Sequence, residues 1–250
     1  AKTRRSDRRP RKPLQTTTIT VPLPFELKLC LMGHGWIALA PHQFDKDQNR
    51  WQTVLRLGKK VVDATVTQHQ PTILRVDFAA KTTLQRSEVA AGRQQLQHML
   101  RLEDDLSTFY AVCKNDPKRS WVASRGGGRL LRSATVFEDL MKLLFTTNTS
   151  WTSTEQMTRN LVTALGSKSP NGLRAFPTAK QCLQDESFYR EVVRCGYRAT
   201  AAMELAASFA TGELTNETFL SPQPSEEIWQ RLCALRGFGP YAAGQAMRLC

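Results

Sequence analysis

The chain has 250 residues, 41% of them hydrophobic, and a net charge of +13. That length suits one large core or two modest ones, and the charge favours a polyanionic partner over an acidic surface of its own. No apolar run approaches the roughly 20 residues of a membrane-spanning helix, and the basic first residues lack the apolar stretch of a secretory signal.

The opening segment AKTRRSDRRPRKP carries seven Lys and Arg against one acid, Asp7, which is +6 of the +13 and leaves +7 for the body. With little to bury, residues 1–20 are expected to stay disordered, either as a solvated tail or as a nucleic-acid arm or localisation signal. The six cysteines (Cys30, Cys113, Cys182, Cys195, Cys233, Cys250) form no CxxC pair, and the four histidines are scattered. This argues for a reducing compartment, with neither metal nor cofactor expected.

Residues 21–82 read as strands. FELKLCLM alternates from Phe25, and RWQTVLRL, KVVDATVT and TILRVDF behave similarly. Gly58, Pro71 and the polar FDKDQN mark breaks, so an antiparallel sheet with one covered face is predicted. Residues 83–250 read as helices. LQRSEVAAGRQQLQHMLRL and LSTFYAVC are amphipathic. In TVFEDLMKLLF, Thr135 and Glu138 fit a capping box, with Phe137, Leu140, Met141 and Leu144 on one apolar face. STEQMTRNLVTALG can be capped by Ser153 and stopped at Gly166, and ATAAMELAASFATG can stop at Gly212. Ser225 can cap EEIWQRLCAL, whose Ile228, Leu232 and Leu235 fall on one stripe. The predicted class is α+β, a sheet followed by helices.

LRGFGPYAAG, from Leu235 to Gly244, joins the last two helices. Proline suits a first helical position, so the second helix can start at Pro240, which leaves only Arg236 to Gly239 for the turn. Gly237 and Gly239 can take positive φ and clear the backbone of side chains. The N–H groups of Gly239, Tyr241 and Ala242 then face outward at a helix N-terminus, where a phosphate can sit, while Phe238 turns inward as an anchor. The plainer alternative is a tight helix connection that binds nothing.

LRGFGPYAAGQA resembles the hairpin of the helix-hairpin-helix (HhH-GPD) DNA glycosylases. GGRLLRSATVFEDLMKLLFTTNTSW is similar to the segment that opens the helical core in 8-oxoguanine DNA glycosylase and 3-methyladenine DNA glycosylase II. FPTAKQCL with GYRATAAMELA is similar to their central segment. The resemblance implies an N-terminal antiparallel sheet domain, a helical HhH-GPD domain with the hairpin at about 226–250, and a chain truncated at its C-terminus. It further implies a base-excision-repair glycosylase, monomeric in the family's manner, acting on duplex DNA with a damaged or mismatched base in the nucleoid or nucleus.

The resemblance also assigns roles. Asn148 matches a residue that fills the gap left by a flipped base, Tyr197 an aromatic wedge, and Arg198 an arginine facing the unpaired base. A flipped base costs a few kcal/mol, and an aromatic ring replaces part of the lost stacking. Read without the resemblance, Asn148 is a helix cap, Tyr197 a core tyrosine and Arg198 a surface arginine paired with an acid. GHGW resembles the strand turn beside the damaged base, making Gly35 and Trp36 pocket candidates; otherwise Trp36 is a buried structural tryptophan. Ser153 stands where the oxidised-guanine enzyme has a second cytosine-reading arginine.

Family members that also cut the strand attack the sugar with a lysine beginning the second hairpin helix. Tyr241 holds that position, and a phenol cannot form a Schiff base, so the resemblance implies a monofunctional enzyme that uses water. The family's catalytic aspartate follows the hairpin by roughly 20 residues, beyond Cys250. No acid occurs between Gln230 and Cys250, and Glu138 and Asp139 read as surface or capping residues. The expectation is therefore a polypeptide that binds DNA and releases no base. The alternative is a non-catalytic module that recognises bent or damaged DNA.

Overall fold

The computed structural model describes residues 14–249. Residues 1–13 of the basic segment and Cys250 lie outside the described residues.

The first strand, β1 (Leu14–Thr20), falls where the sequence predicts a disordered tail. Its run of β-branched residues alternates in burial, Ile19 is fully buried, and it pairs antiparallel with β5, from Leu14 opposite Ala79 to Thr20 opposite Ile73. Threonines made this stretch look polar, yet a half-buried edge strand favours them. FELKLCLM, predicted as a strand, is a helix instead: α1 (Leu27–Met32) buries Leu27, Cys30 and Leu31. That i, i+3, i+4 face and a two-residue alternation fit the same six residues, so periodicity alone could not separate them.

The remaining strands are β2 (Gln43–Asp45), β3 (Arg50–Leu57), β4 (Lys60–Gln70) and β5 (Ile73–Ala79). They form a sheet of order β1-β5-β4-β3-β2, antiparallel throughout. Helices follow: α2 (Arg86–Met99), α3 (Ser107–Lys114), α4 (Ser120–Arg125), α5 (Val136–Thr146), α6 (Trp151–Leu165), α7 (Ala199–Thr211), α8 (Glu217–Leu220), α9 (Ser225–Ala234) and α10 (Pro240–Met247). One hydrophobic core runs through both parts, from Ile19, Trp51 and Val76 in the sheet to Leu140, Leu161 and Ala202 in the helices. Among the described residues no helix is long and apolar enough to cross a membrane.

The central helix is α5, whose residues from Val136 to Phe145 are all buried. The expected apolar face of Phe137, Leu140, Met141 and Leu144 is present, but the opposite face is buried too. Thr135 caps the helix by accepting from Glu138 N at 3.2 Å. The other half of the predicted capping box is absent, because the Glu138 carboxylate pairs instead with Lys142, at 2.6 Å. The cap of α6 sits three residues before the expected Ser153: Ser150 Oγ accepts from Ser153 N at 3.2 Å. Gly166 and Gly212 end α6 and α7 as predicted. Ser225 begins α9, and Pro224 ahead of it offers no side-chain cap.

Candidate nucleic-acid interface

The loop between α5 and α6 carries Asn148 in the left-handed region, with φ +43°, and leaves its side chain exposed. Asparagine tolerates this conformation better than most residues, although it still costs energy that surrounding contacts must offset. Those contacts come from fifty residues away. The Arg198 guanidinium donates to Thr147 O, to Thr147 Oγ1 at 3.1 Å, to Asn148 O at 3.2 Å and to its own segment at Cys195 O, 3.3 Å. Arg198 is only 6% exposed. It is thus not a surface arginine paired with an acid, and its guanidinium is turned to the chain itself. Its fork is consumed by backbone carbonyls, and that use required the fold to bring the 195–198 turn against the 146–149 loop.

Tyr197 packs against this brace. It is 61% exposed, its hydroxyl lies 3.4 Å from Thr147 O, and the Arg198 guanidinium lies 4.5 Å from its ring centroid. A core tyrosine is ruled out. An exposed aromatic ring and an exposed amide, held on one braced platform, can meet a base face and a base edge together.

The second surface is the α9–α10 hairpin. Leu235 ends α9, Gly239 stands at the N-cap of α10 and Pro240 takes the first helical position. Gly237 has φ +82°, and a Cβ there would lie 2.7 Å from Leu144 Cδ1. Glycine is required twice over, by conformation and by close approach to α5. Gly239 differs from expectation: its φ is −88°, open to any residue, and nothing lies within 4 Å of an added Cβ. Its value is the cleared surface in front of the helix. With no side chain to cap, the N–H groups of Tyr241 and Ala242 keep their polarity for a ligand. Phe238 turns inward and is buried, Ala242 is buried, and Tyr241 is exposed.

The third surface is the GHGW turn. A Cβ on Gly35 would fall 2.4 Å from the Trp151 ring, so the indole packs directly against the glycine. Trp151 opens α6 three residues after Asn148 and is 40% exposed. The fold therefore joins the turn at 33–36 to the Asn148 loop. Sequence reading missed Trp151, whose only signal was its position beside Asn148. Trp36 is buried and its indole donates to Asp139 Oδ1 at 2.6 Å.

Asp139 is not a surface residue. It is buried in α5 and also accepts from Ser133 N at 2.9 and 3.1 Å. Burial raises its pKa, opposed by its bonds to Ser133, the nearby Lys142 charge and Trp36. Glu138 is likewise buried and raised by desolvation, against the pull of Lys142, which is itself fully buried and also donates to Ser133 Oγ at 3.2 Å. Beside them, burial lowers the pKa of His34, whose Nε2 lies 2.5 Å from Leu131 O and so carries the proton. Asp139 ties the GHGW turn to α5, while Glu138 pairs with Lys142 within the helix; both carboxylates meet protein donors.

A sheet followed by a helical domain that carries the α9–α10 hairpin is a fold found in solved DNA glycosylases. No protein-family model matches the chain, and no curated protein matches it by sequence. Solved structures do. The 3-methyladenine DNA-glycosylase from Archaeoglobus fulgidus superposes with a TM-score of 0.74 at 20% identity, over 92% of this chain and 78% of that one. MBOgg1 in complex with a low-affinity DNA ligand gives 0.70 at 18% identity, over 94% and 78%. The apo 8-oxoguanine glycosylase/lyase of Clostridium acetobutylicum gives 0.68 at 19%, over 93% and 76%. The fold is shared with these enzymes.

Proposed function

We propose that this protein is a DNA glycosylase of the monofunctional type, which binds duplex DNA as a monomer and takes a damaged or mismatched base out of the stack. The observation that carries the reading is the platform on which Arg198 holds Asn148 while Tyr197 stays exposed beside it. Tyr197 stacks where the base has left, and Asn148 meets the edges it exposed. The hairpin grips one strand through phosphates at Gly237–Ala242. Trp151, packed over Gly35 and 40% exposed, offers its ring as a wall of the base pocket. The fold neighbours support the reading in kind, because they are glycosylases, one with a DNA ligand and one, also from Clostridium acetobutylicum, with double-stranded DNA.

The chemistry implied is hydrolytic. Tyr241 is exposed at the second position of α10, where an amine would be needed for strand cleavage through the sugar. Asp139 and Glu138 are buried and committed to Ser133, Trp36 and Lys142, so neither serves as the carboxylate that stabilises charge on the sugar. Residues 1–250 are accordingly proposed to bind lesions without releasing a base, in a DNA-associated compartment of the cell.

The test pairs two assays on the 250-residue polypeptide. Anisotropy titration should give tighter binding to an abasic-site duplex than to intact duplex, falling steeply with salt. Single-turnover incubation with alkylated, deaminated and oxidised duplexes should give no base release. Equal affinity for both duplexes overturns lesion recognition; base release that Asp139→Asn abolishes overturns the assignment of that acid.

A further inference from the structure

At the end of α6 remote from Asn148 lies a cleft of about 430 Å³. It is lined by Arg56 from β3, Lys59 and Lys60 at the β3–β4 turn, Lys81 and Thr82 after β5, and Ser167 and Lys168 after α6. No acid lines it. One acid reaches in from outside: Glu88 pairs with Lys60 at 2.8 Å. Arg56 is spent on neutral acceptors, Phe176 O at 3.4 Å, Ser167 Oγ at 3.2 Å and Gln181 Oε1 at 2.7 Å. Lys59, Lys81 and Lys168 form no ion pair among the described residues. Ser167 Oγ accepts from both Arg56 and Gln181, the latter at 3.2 Å, so its own proton is free to donate into the cleft.

The cleft thus offers ammonium groups and hydroxyl donors over a fixed guanidinium, with no aromatic surface on which a base could stack. That chemistry recognises phosphate and ignores the base attached to it. Three flexible lysines spread around an open rim suit successive phosphates of a strand better than one small anion held in a closed nest. Fifteen residues of α6 separate the cleft from the Asn148 loop, which is about 22 Å at 1.5 Å per residue, or about six base pairs of duplex at 3.4 Å each.

We propose that this cleft is a second phosphodiester-binding site, which holds the backbone of duplex DNA away from the lesion; the assignment rests on the DNA-binding reading above. It adds affinity and salt dependence on long DNA and contributes nothing to recognition of the gap.

The experiment compares duplexes of about 12 and about 30 base pairs, each intact or with a central abasic site, over a salt series. For the natural sequence, the slope of log affinity against log salt should be steeper on the long duplex by about 2 to 3, at about 0.9 per phosphate neutralised. The triple variant Lys59→Glu/Lys81→Glu/Lys168→Glu should bring the long-duplex slope down to the short-duplex value and weaken long-duplex binding by about 10- to 100-fold at low salt. Its melting temperature and its abasic preference on the short duplex should be unchanged, and the milder Lys→Gln triple should show the same pattern at smaller size. Equal slopes on the two lengths, or a charge-reversed triple that binds long duplex like the natural protein, overturn the second site. A parallel titration with inorganic pyrophosphate, followed by backbone amide shifts, separates the sources: tight pyrophosphate binding in the cleft with no length effect assigns it to free phosphate compounds and overturns the DNA assignment. Loss of abasic preference in the natural protein would instead overturn the glycosylase reading, which the length comparison does not test.

Discussion

Arg198 donates to the backbone carbonyl of Asn148 at 3.2 Å while Asn148 holds φ +43°. A buried cation fifty residues away therefore sets the shape of an exposed loop. On the function proposed above, Arg198 contributes to DNA binding by holding Asn148, so its loss should register in stability as well as in binding.

Replacing Arg198 by Ala removes the side-chain bonds to Thr147, Asn148 and Cys195 and leaves Asn148 O without its donor, while Cys195 O keeps the backbone N–H of residue 198 and Thr147 O keeps the Tyr197 hydroxyl. Stability should fall by about 1–3 kcal/mol in urea unfolding. Preference for an abasic duplex should fall with it, because Asn148 is no longer held. Arg198→Lys should recover part of the stability and little of the preference, since a point charge cannot span the same acceptors. An Arg198→Ala variant with unchanged melting would contradict the brace.

Tyr197 and Asn148 should separate function from folding. Tyr197→Ala removes an exposed ring, so stability should change by less than about 0.5 kcal/mol while abasic-duplex affinity drops by about 1–3 kcal/mol, the worth of one base–aromatic stack. Asn148→Gly relieves the left-handed backbone and deletes the amide: melting should hold or rise slightly as the preference for the gap is lost.

The two hairpin glycines should behave differently. Gly237→Ala meets both a positive φ and the Leu144 methyl, and should destabilise by about 1–3 kcal/mol. Gly239→Ala should fold almost normally, because its φ is −88° and the space ahead is open. A bulky Gly239→Leu should still fold and should weaken binding to all duplexes alike. Comparable melting losses at both positions would show that the turn is not built as described.

Asp139 ties Trp36 to Ser133. Asp139→Ala strands two buried donors and should cost about 2–4 kcal/mol. Asp139→Asn keeps one acceptor but turns an amide N–H toward a donor, so it should cost less than the alanine change without matching the natural protein. Tryptophan fluorescence of the Trp36 region should shift in both.

Stability should fall below neutral pH through the histidines. His42 is buried, with its pKa lowered well below the ordinary value by burial first and by Lys142 and His34 after it; burial and Arg132 push His98 down to about 4. The unfolded chain binds these protons near pH 6.5 and the folded chain does not, so stability is full above 6.5 and is lost as pH drops toward 4, by at most about 1.4 kcal/mol per pH unit per histidine. The raised pKa values of Asp139 and Glu138 act in the opposite sense, because the folded protein takes up their protons first. Urea unfolding from pH 7 to 4.5 should show the loss, and His98→Gln should flatten it.

Much of this protein was legible in the chain. Strands β3 to β5, the stops at Gly166 and Gly212, the tight link from Leu235 to Pro240 and the inward Phe238 follow from periodicity, glycine chemistry and a proline at a first helical position, all of which act over a few residues. The class, a sheet and then helices, follows from the order of those signals. Other features depended on partners far away in sequence. Segment 14–20 becomes a strand because β5 offers it an edge, and α5 is buried on every side because α6, α7 and α10 surround it. Arg198 is buried because two distant turns meet, Trp151 covers Gly35 because α6 starts beside the GHGW turn, and Asp139 and Lys142 leave the surface because the core closes over them. A lone polar side chain looks the same in sequence whether water or a carbonyl fifty residues away will satisfy it. Desolvation and long-range hydrogen bonding exist only once the chain has packed, so tertiary structure alone decided which of the candidate residues are exposed and which hold those residues in place.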